Sequence, residues 1–175
     1  MRSWYSYVAL LLMMGTGWKA CADQPSEYQV KGAYLYHFTK FVTWPPSAFA
    51  NEQAPFRLCV MGENPFGAVL DALTKKTTNN RSISLAYPET GQQATTCHLL
   101  FIAVSEQEKW SAILSAIQGK PVLTVGDRPD FVQQGGMIHF VPVQDTLRFA
   151  INQENARAAG LKISATLLQV GHVIK

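Results

Sequence analysis

The sequence is short of the residue groupings that announce catalysis. It holds three cysteines in 175 residues, Cys21, Cys59 and Cys97, with no C-x-x-C and no H-x-x-x-H spacing, which excludes the common preformed zinc centres. The four histidines, His37, His98, His139 and His172, stand singly. No G-x-S-x-G elbow presents a serine nucleophile, and neither G-x-G-x-x-G nor a Lys-containing phosphate loop occurs. "GENPFG" falls between a strand and a helix, where Pro65 and Gly67 shape a turn rather than a phosphate cradle. No cofactor is implied. No run of Lys and Arg supplies a nucleic-acid footprint or a polybasic membrane patch. There is no long Pro, Gly or Ser linker and no internal repeat.

What is present begins with the first residues. "MRSWYSYVALLLMMGTGWKACADQP" has a positive charge at Arg2, an apolar run from Tyr7 to Met14, then small residues ending in Ala20-Cys21-Ala22. This is the layout of a secretory signal with an A-x-A cleavage site. The run is shorter than the roughly 20 apolar residues of a membrane span, so the chain is not expected to span a bilayer. Two rival readings stand beside this one. Lipidation of Cys21 is disfavoured by Trp18 and Lys19, and an uncleaved anchor is interrupted by Lys19. Cleavage after Ala22 divides the chain into a signal peptide, residues 1–22, and one α/β domain of 153 residues, 23–175. That length suits a single core. Loss of Arg2 and Lys19 lowers the net charge from +3 to +1.

Cys21 leaves with the signal, so Cys59 and Cys97 remain for an oxidising compartment. A disulfide closing a 38-residue loop is the first reading of the pair. Two buried thiols, or a Cys-His dyad with His98, are the alternatives. Neighbours on a strand point to opposite faces, which argues against the dyad.

The patterns alternate between strand and helix. Ser26 and Gln29 fit a capping box, and Val30, Tyr34, Phe38 and Phe41 recur at helical spacing, with Lys31 and Lys40 off that stripe. Pro45 ends this helix near Trp44. "FRLCVMG", "RSISLAY", "CHLLFIAVS" and "PVLTVGD" read as strands. "NPFGAVLDALTKK" reads as a helix, as does "EQEKWSAILSAIQG", with Ser105 as its cap, Glu108 in its capping box and Gly119 at its end. "RPDFVQQGG" is a short helix or turn. "MIHFVPV" and "TLRFAIN" form a hairpin around Gln144-Asp145, and "QENARAAG" and "SATLLQVGHVI" end the chain as helices. The expected fold is α/β: a mainly parallel sheet covered by helices on both faces, with an antiparallel hairpin at the C-terminal edge.

"SEYQVKGAYLYHFTKFVTWP", "LCVMGENPFG", "CHLLFI", "VGDRPDFVQQGGMIHF" and "LRFAINQENARAAGLKISATLLQVGHVIK" together resemble YfiR-type periplasmic proteins over nearly the whole mature chain. The resemblance implies a periplasmic domain without enzymatic activity. It implies a negative regulator that binds the periplasmic domain of an inner-membrane diguanylate cyclase and holds it inactive. An outer-membrane lipoprotein relieves that inhibition, and the output is cyclic di-GMP and biofilm. Cys59 and Cys97 match the positions of a family disulfide. A second family bridge near "GGMI" has no cysteines here, and Ala150 stands where members often carry Glu.

A sequestering protein needs an exposed apolar patch rather than an active site. The stripe on the first helix is expected in the core. The aromatics off it, Tyr28, Tyr36 and Trp44, are expected at the rim of a partner contact or a homodimer. A second surface gathers Arg148, Arg157 and Lys162 around Leu161, Leu167 and Leu168, either as solvated charge over core leucines or as a patch for an acidic segment or anionic ligand. His37 and His139 read as structural or interfacial. Two other functional classes remain. One is a periplasmic sensor of a small aromatic or anionic molecule. The other is a hydrolase assembled from scattered carboxylates and His139.

Overall fold

The computed structural model describes residues 25–144 and 146–174, so the expected signal segment lies outside them. Chain order is α1 (Glu27–Phe41), β1 (Val42–Thr43), β2 (Phe56–Met61), β3 (Thr77–Thr78), β4 (Arg81–Ala86), α2 (Gly91–Ala94), β5 (Leu99–Ile102) and α3 (Trp110–Ala116). It continues with β6 (Leu123–Gly126), α4 (Asp130–Gln133), β7 (Ile138–Val143), β8 (Thr146–Asn152), α5 (Gln153–Ala158), β9 (Lys162–Ile163), α6 (Ala165–Val170) and β10 (His172–Ile174).

The main sheet has the order β10-β8-β7-β6-β5-β2-β4-β3. The run β4-β2-β5-β6-β7 is parallel throughout. Such strands are buried on both faces and need apolar side chains at consecutive positions; Leu99, Leu100, Phe101 and Ile102 of β5 are all fully buried. Alternation then sorts them. Leu58 and Val60 of β2 and Leu99 and Phe101 of β5 face a core completed by α1, α5 and α6. Cys59 and Met61, with Leu100 and Ile102, face a second core under Trp110, Ile113 and Phe131. Helices therefore cover both faces, as the sequence implies.

The hairpin of β7 and β8 is antiparallel, with Phe140 opposite Phe149. It is not the edge, because β10 pairs with β8 in parallel outside it. The last periodic segment thus splits into α6 and a strand, where the sequence suggests one helix. Two 3-10 turns, Gly67–Val69 and Asp71–Lys75, replace the helix expected over "NPFGAVLDALTKK". Gly67 has φ +53, and a left-handed residue there interrupts any continuous α-helix. Ser105 does not cap a helix either: its Oγ accepts the Glu63 N–H at 3.0 Å, and α3 begins only at Trp110. The turn between β3 and β4 has Asn79 and Asn80 both at positive φ, as a tight hairpin requires.

Candidate functional site

The first helix carries both halves of the candidate site. Ser26 Oγ accepts from the Gln29 N–H, and the Gln29 side chain accepts from the Ser26 N–H at 2.7 Å, a complete capping box. The buried face is Lys31, Leu35, Phe38 and Thr39, with Gly32 packed close against Val69. It is rotated from the apolar stripe: Phe41, expected in the core, is 36% exposed. Lys31, expected off the stripe, is buried.

Burial of Lys31 is compensated by charge. Its Nζ lies 2.6 Å from Glu27 Oε1 and 2.9 Å from Asp127 Oδ1. The ammonium also stands 4.4 Å from the Tyr28 ring centroid. Tyr28 donates its O–H to Asp127 Oδ2 at 2.9 Å. Burial draws the Lys31 pKa down, but the two carboxylates outweigh it and leave the pKa raised. Burial raises the Tyr28 phenol, and Asp127 adds to the shift. Asp127 Oδ1 takes the Lys31 ammonium and Oδ2 the Tyr28 hydroxyl, so both carboxylate oxygens are engaged.

Asp127 also marks a crevice. The chain leaves β2 toward β4 on one side and returns to β5 on the other. The connections part at the carboxyl ends of β2 and β5, where open α/β sheets form a ligand crevice. A cleft of about 180 Å³ lies there, lined by Tyr28, Glu63, Pro65, Ala103, Val104, Ser105 and Asp127. Its floor is tight. A Cβ on Gly62 would come within 2.5 Å of Ser105 Oγ, so the loops after β2 and β5 close on each other only because that residue is Gly.

A second concavity lies between α1 and α6. Tyr34, His37, Phe41, Phe149, Thr166, Leu167 and Val170 line an apolar groove of about 150 Å³. Phe41 stacks on His37 at 6.4 Å, and Val170 is 63% exposed. The edge strand β10, with Val173 also exposed, follows directly after α6.

The YfiR/HmsC-like family model matches residues 28–172. The chain belongs to the YfiR/HmsC-like family. No curated protein matches it. Among solved structures, an ABC domain in complex with L-Trp from Streptococcus pneumonia has 12% sequence identity and a TM-score of 0.48. The alignment covers 68% of this chain and 55% of that one. Among the described residues, no helix is long and apolar enough to cross a membrane.

In this YfiR/HmsC-like chain Cys59 and Cys97 are joined, with Cα atoms 6.0 Å apart. That removes the thiol and Cys-His readings. His98 is engaged elsewhere: its Nδ1 accepts the Arg57 N–H at 2.8 Å, and its Nε2 faces the Ala48 carbonyl at 3.0 Å. Ala150 is buried, with His139 and His172 as its strand neighbours. Position 150, where the resemblance suggests a Glu in other members, is therefore interior in this chain.

The expected surface residues part company. Tyr28 is half-buried in the Lys31 cluster. Tyr36 donates to the Thr77 carbonyl at 3.1 Å, with Lys40 and Lys76 against its ring. Trp44 does not stand at a rim. It is buried edge-on against Phe56, and its Nε1 donates to the His98 carbonyl at 3.0 Å. Arg148, Arg157 and Lys162 are exposed on β8, α5 and β9 and have no ion pair among the described residues. Leu161 and Leu167, beside them in sequence, are core. His139 is buried, and its Nδ1 has no hydrogen-bond partner. Burial lowers its pKa; Asp130 opposes the shift and His172 adds to it.

Proposed function

We propose that the mature chain is a periplasmic regulatory binding protein that keeps an inner-membrane diguanylate cyclase inactive by covering the cyclase's periplasmic part. Membership of the YfiR/HmsC-like family across residues 28–172 carries this reading. A cleavable signal over residues 1–22 delivers the chain, and the Cys59–Cys97 bridge suits an oxidising compartment. The apolar groove between α1 and α6 supplies the surface that sequestration requires. It is filled by an apolar segment of the cyclase, flanked by the exposed Phe41 and Val170. An outer-membrane lipoprotein competes for the inhibitor and releases the cyclase.

The test has two parts. Deleting the gene raises cyclic di-GMP and biofilm, and the purified mature chain retains a membrane diguanylate cyclase from detergent-solubilised membranes. An unchanged cyclic di-GMP level after deletion ends the proposal.

A further inference from the structure

The main sheet ends in two edges, β3 and β10, and the fold treats them differently. We infer that β10 is a docking edge: the partner segment that enters the apolar groove is an extended strand that pairs with β10 and lays apolar side chains beside Val170 and Val173. This rests on the cyclase-binding reading of the groove and specifies the backbone form of the segment bound there.

An edge strand presents unpaired N–H and C=O groups, which proteins ordinarily blunt with a cover, a charge, a Pro or a bulge. The β3 edge is covered. The Thr77 carbonyl accepts from the Tyr36 O–H at 3.1 Å and from the Lys40 ammonium at 2.7 Å. Thr78 donates its hydroxyl to the Thr39 carbonyl at 3.0 Å, and Lys75 and Lys76 lead into the strand. The three residues of β10, His172, Val173 and Ile174, include no Pro, Lys or Arg. Among the described residues, their backbone has β8 as its one pairing partner.

The open edge and the groove are continuous. Gly171 joins α6 to β10, and a Cβ there would meet the Phe149 ring at 2.6 Å. The backbone therefore passes directly against a residue that lines the groove. Val173 lies opposite Ile151, which shares the first core with Phe149. Val173 thus stands on the sheet face that carries the groove. A strand added in register with Val173 places every second side chain on that same face, where Phe41 and Val170 line the concavity. No Asp, Glu, Lys or Arg lines it, so the inward side chains of the added strand are apolar.

A second copy of this chain is the other occupant that an open edge admits. Three residues of strand span about 10 Å. Twofold pairing over so short an edge falls well below the roughly 800 Å² per partner of a stable interface. A single extended segment fits better, because main-chain bonds to β10 hold it while the groove takes its side chains.

Hydrogen exchange of residues 172–174 tests this, measured in the mature chain alone and bound to the periplasmic part of the cyclase recovered in the pull-down. Binding slows the outward-facing amides about tenfold or more. Val173→Lys, which puts a charge on the edge, lowers affinity for the cyclase about tenfold or more. Val173→Thr, which keeps a branched, strand-forming side chain, retains capture. Val173 is exposed, so both variants melt with the parent. Capture with unchanged exchange at β10, or an unaffected Val173→Lys, overturns the inference and leaves the groove reading standing. Exchange that is already slow in the free chain and varies with protein concentration assigns the edge to a second copy and overturns it too. Absence of any capture removes the cyclase reading itself, and this inference with it.

Discussion

Lys31 Nζ and Asp127 Oδ1 stand 2.9 Å apart, one on the helix that opens the domain and the other at the carboxyl end of β6. Both side chains are more than nine-tenths buried. Glu27, the other partner, is 59% exposed, so solvent screens its contact with Lys31 more than it screens the buried Asp127 pair. Removing one member of a buried pair strands the other, at a cost of about 3–5 kcal/mol, while replacing both by neutral groups of similar shape is far milder. Lys31→Met should therefore lower the unfolding free energy in urea by about 3 kcal/mol. Adding Asp127→Asn should restore over half of the loss. Additive losses in the double variant would show that the two charges are not coupled.

The same cluster sets an alkaline limit. Lys31 and Tyr28 both have raised pKa values in the fold. Their protonated forms are favoured by folding, so this stability is present below the unfolded pKa values and is lost as pH climbs through the folded ones. Melting temperature should fall above about pH 10, starting from the ordinary phenol value. Tyr28→Phe combined with Lys31→Met should flatten that decline, and a decline of unchanged steepness would place its origin elsewhere.

His98 acts on the acid side. Its Nδ1 accepts the Arg57 N–H, so the ring proton sits on Nε2 and points to the Ala48 carbonyl. A second proton on Nδ1 would break the first bond. Burial lowers the pKa, and the Ala48 contact only partly opposes this. His139 shifts the same way through burial. The unfolded chain then binds protons first, so stability falls as pH drops below 6.5, the ordinary histidine value, and levels off at the folded pKa values. Comparing unfolding free energies at pH 7.5 and pH 5 checks this. The His98→Gln variant should show a smaller difference than the parent, and an equal one would remove His98 from the account.

Much of this was legible in the sequence, and the gaps have physical causes. Local signals were reliable: the Ser26–Gln29 box opens α1 where the pattern indicates, and apolar runs mark β2, β5 and β6. The phase of α1 was not legible. A helical wheel weighs Lys31 as polar and Phe41 as apolar, but Asp127, just past the end of the distant strand β6, takes Lys31 inside while Phe41 stands outward. Trp44 was likewise misplaced, since its indole partner is the His98 carbonyl across the fold. The helix expected around Gly67 fails through one backbone angle, φ +53, that periodicity does not encode. The carboxyl-end crevice has no contiguous motif. It exists only once strand order brings Glu63, Ser105 and Asp127 together.

The Cys59–Cys97 bridge ties β2 to the segment entering β5, and both cysteines lie in the second core. A loop with 38 residues of separation corresponds to about 4 kcal/mol of unfolded-state constraint. The Cys59→Ala/Cys97→Ala double variant should unfold in urea with a free energy lower by about that amount. A reductant should leave the folded protein intact until it opens, because both sulfurs are enclosed. A loss below about 1 kcal/mol would mean that the cores alone hold these strands together.

Phe41 and Phe38 lie one helical turn apart on α1 and should behave oppositely. Phe38 is fully buried against Phe140 and Phe149, so Phe38→Ala should cost about 3–5 kcal/mol of stability. Phe41 rims the groove with Val170, and Phe41→Glu should change stability by about 0.5 kcal/mol or less. On the proposed interface, however, truncating or charging a central aromatic contact costs about 2 kcal/mol or more, which is roughly thirtyfold in affinity. Capture of the cyclase's periplasmic part should therefore drop about thirtyfold in Phe41→Glu and comparably in Val170→Asp. Tyr36→Ala and Arg157→Ala, which do not line the groove, should retain capture. If those two lose it while Phe41→Glu keeps it, the contact lies across the outer face of α1 and the end of α5, and the groove is an incidental furrow between two helices.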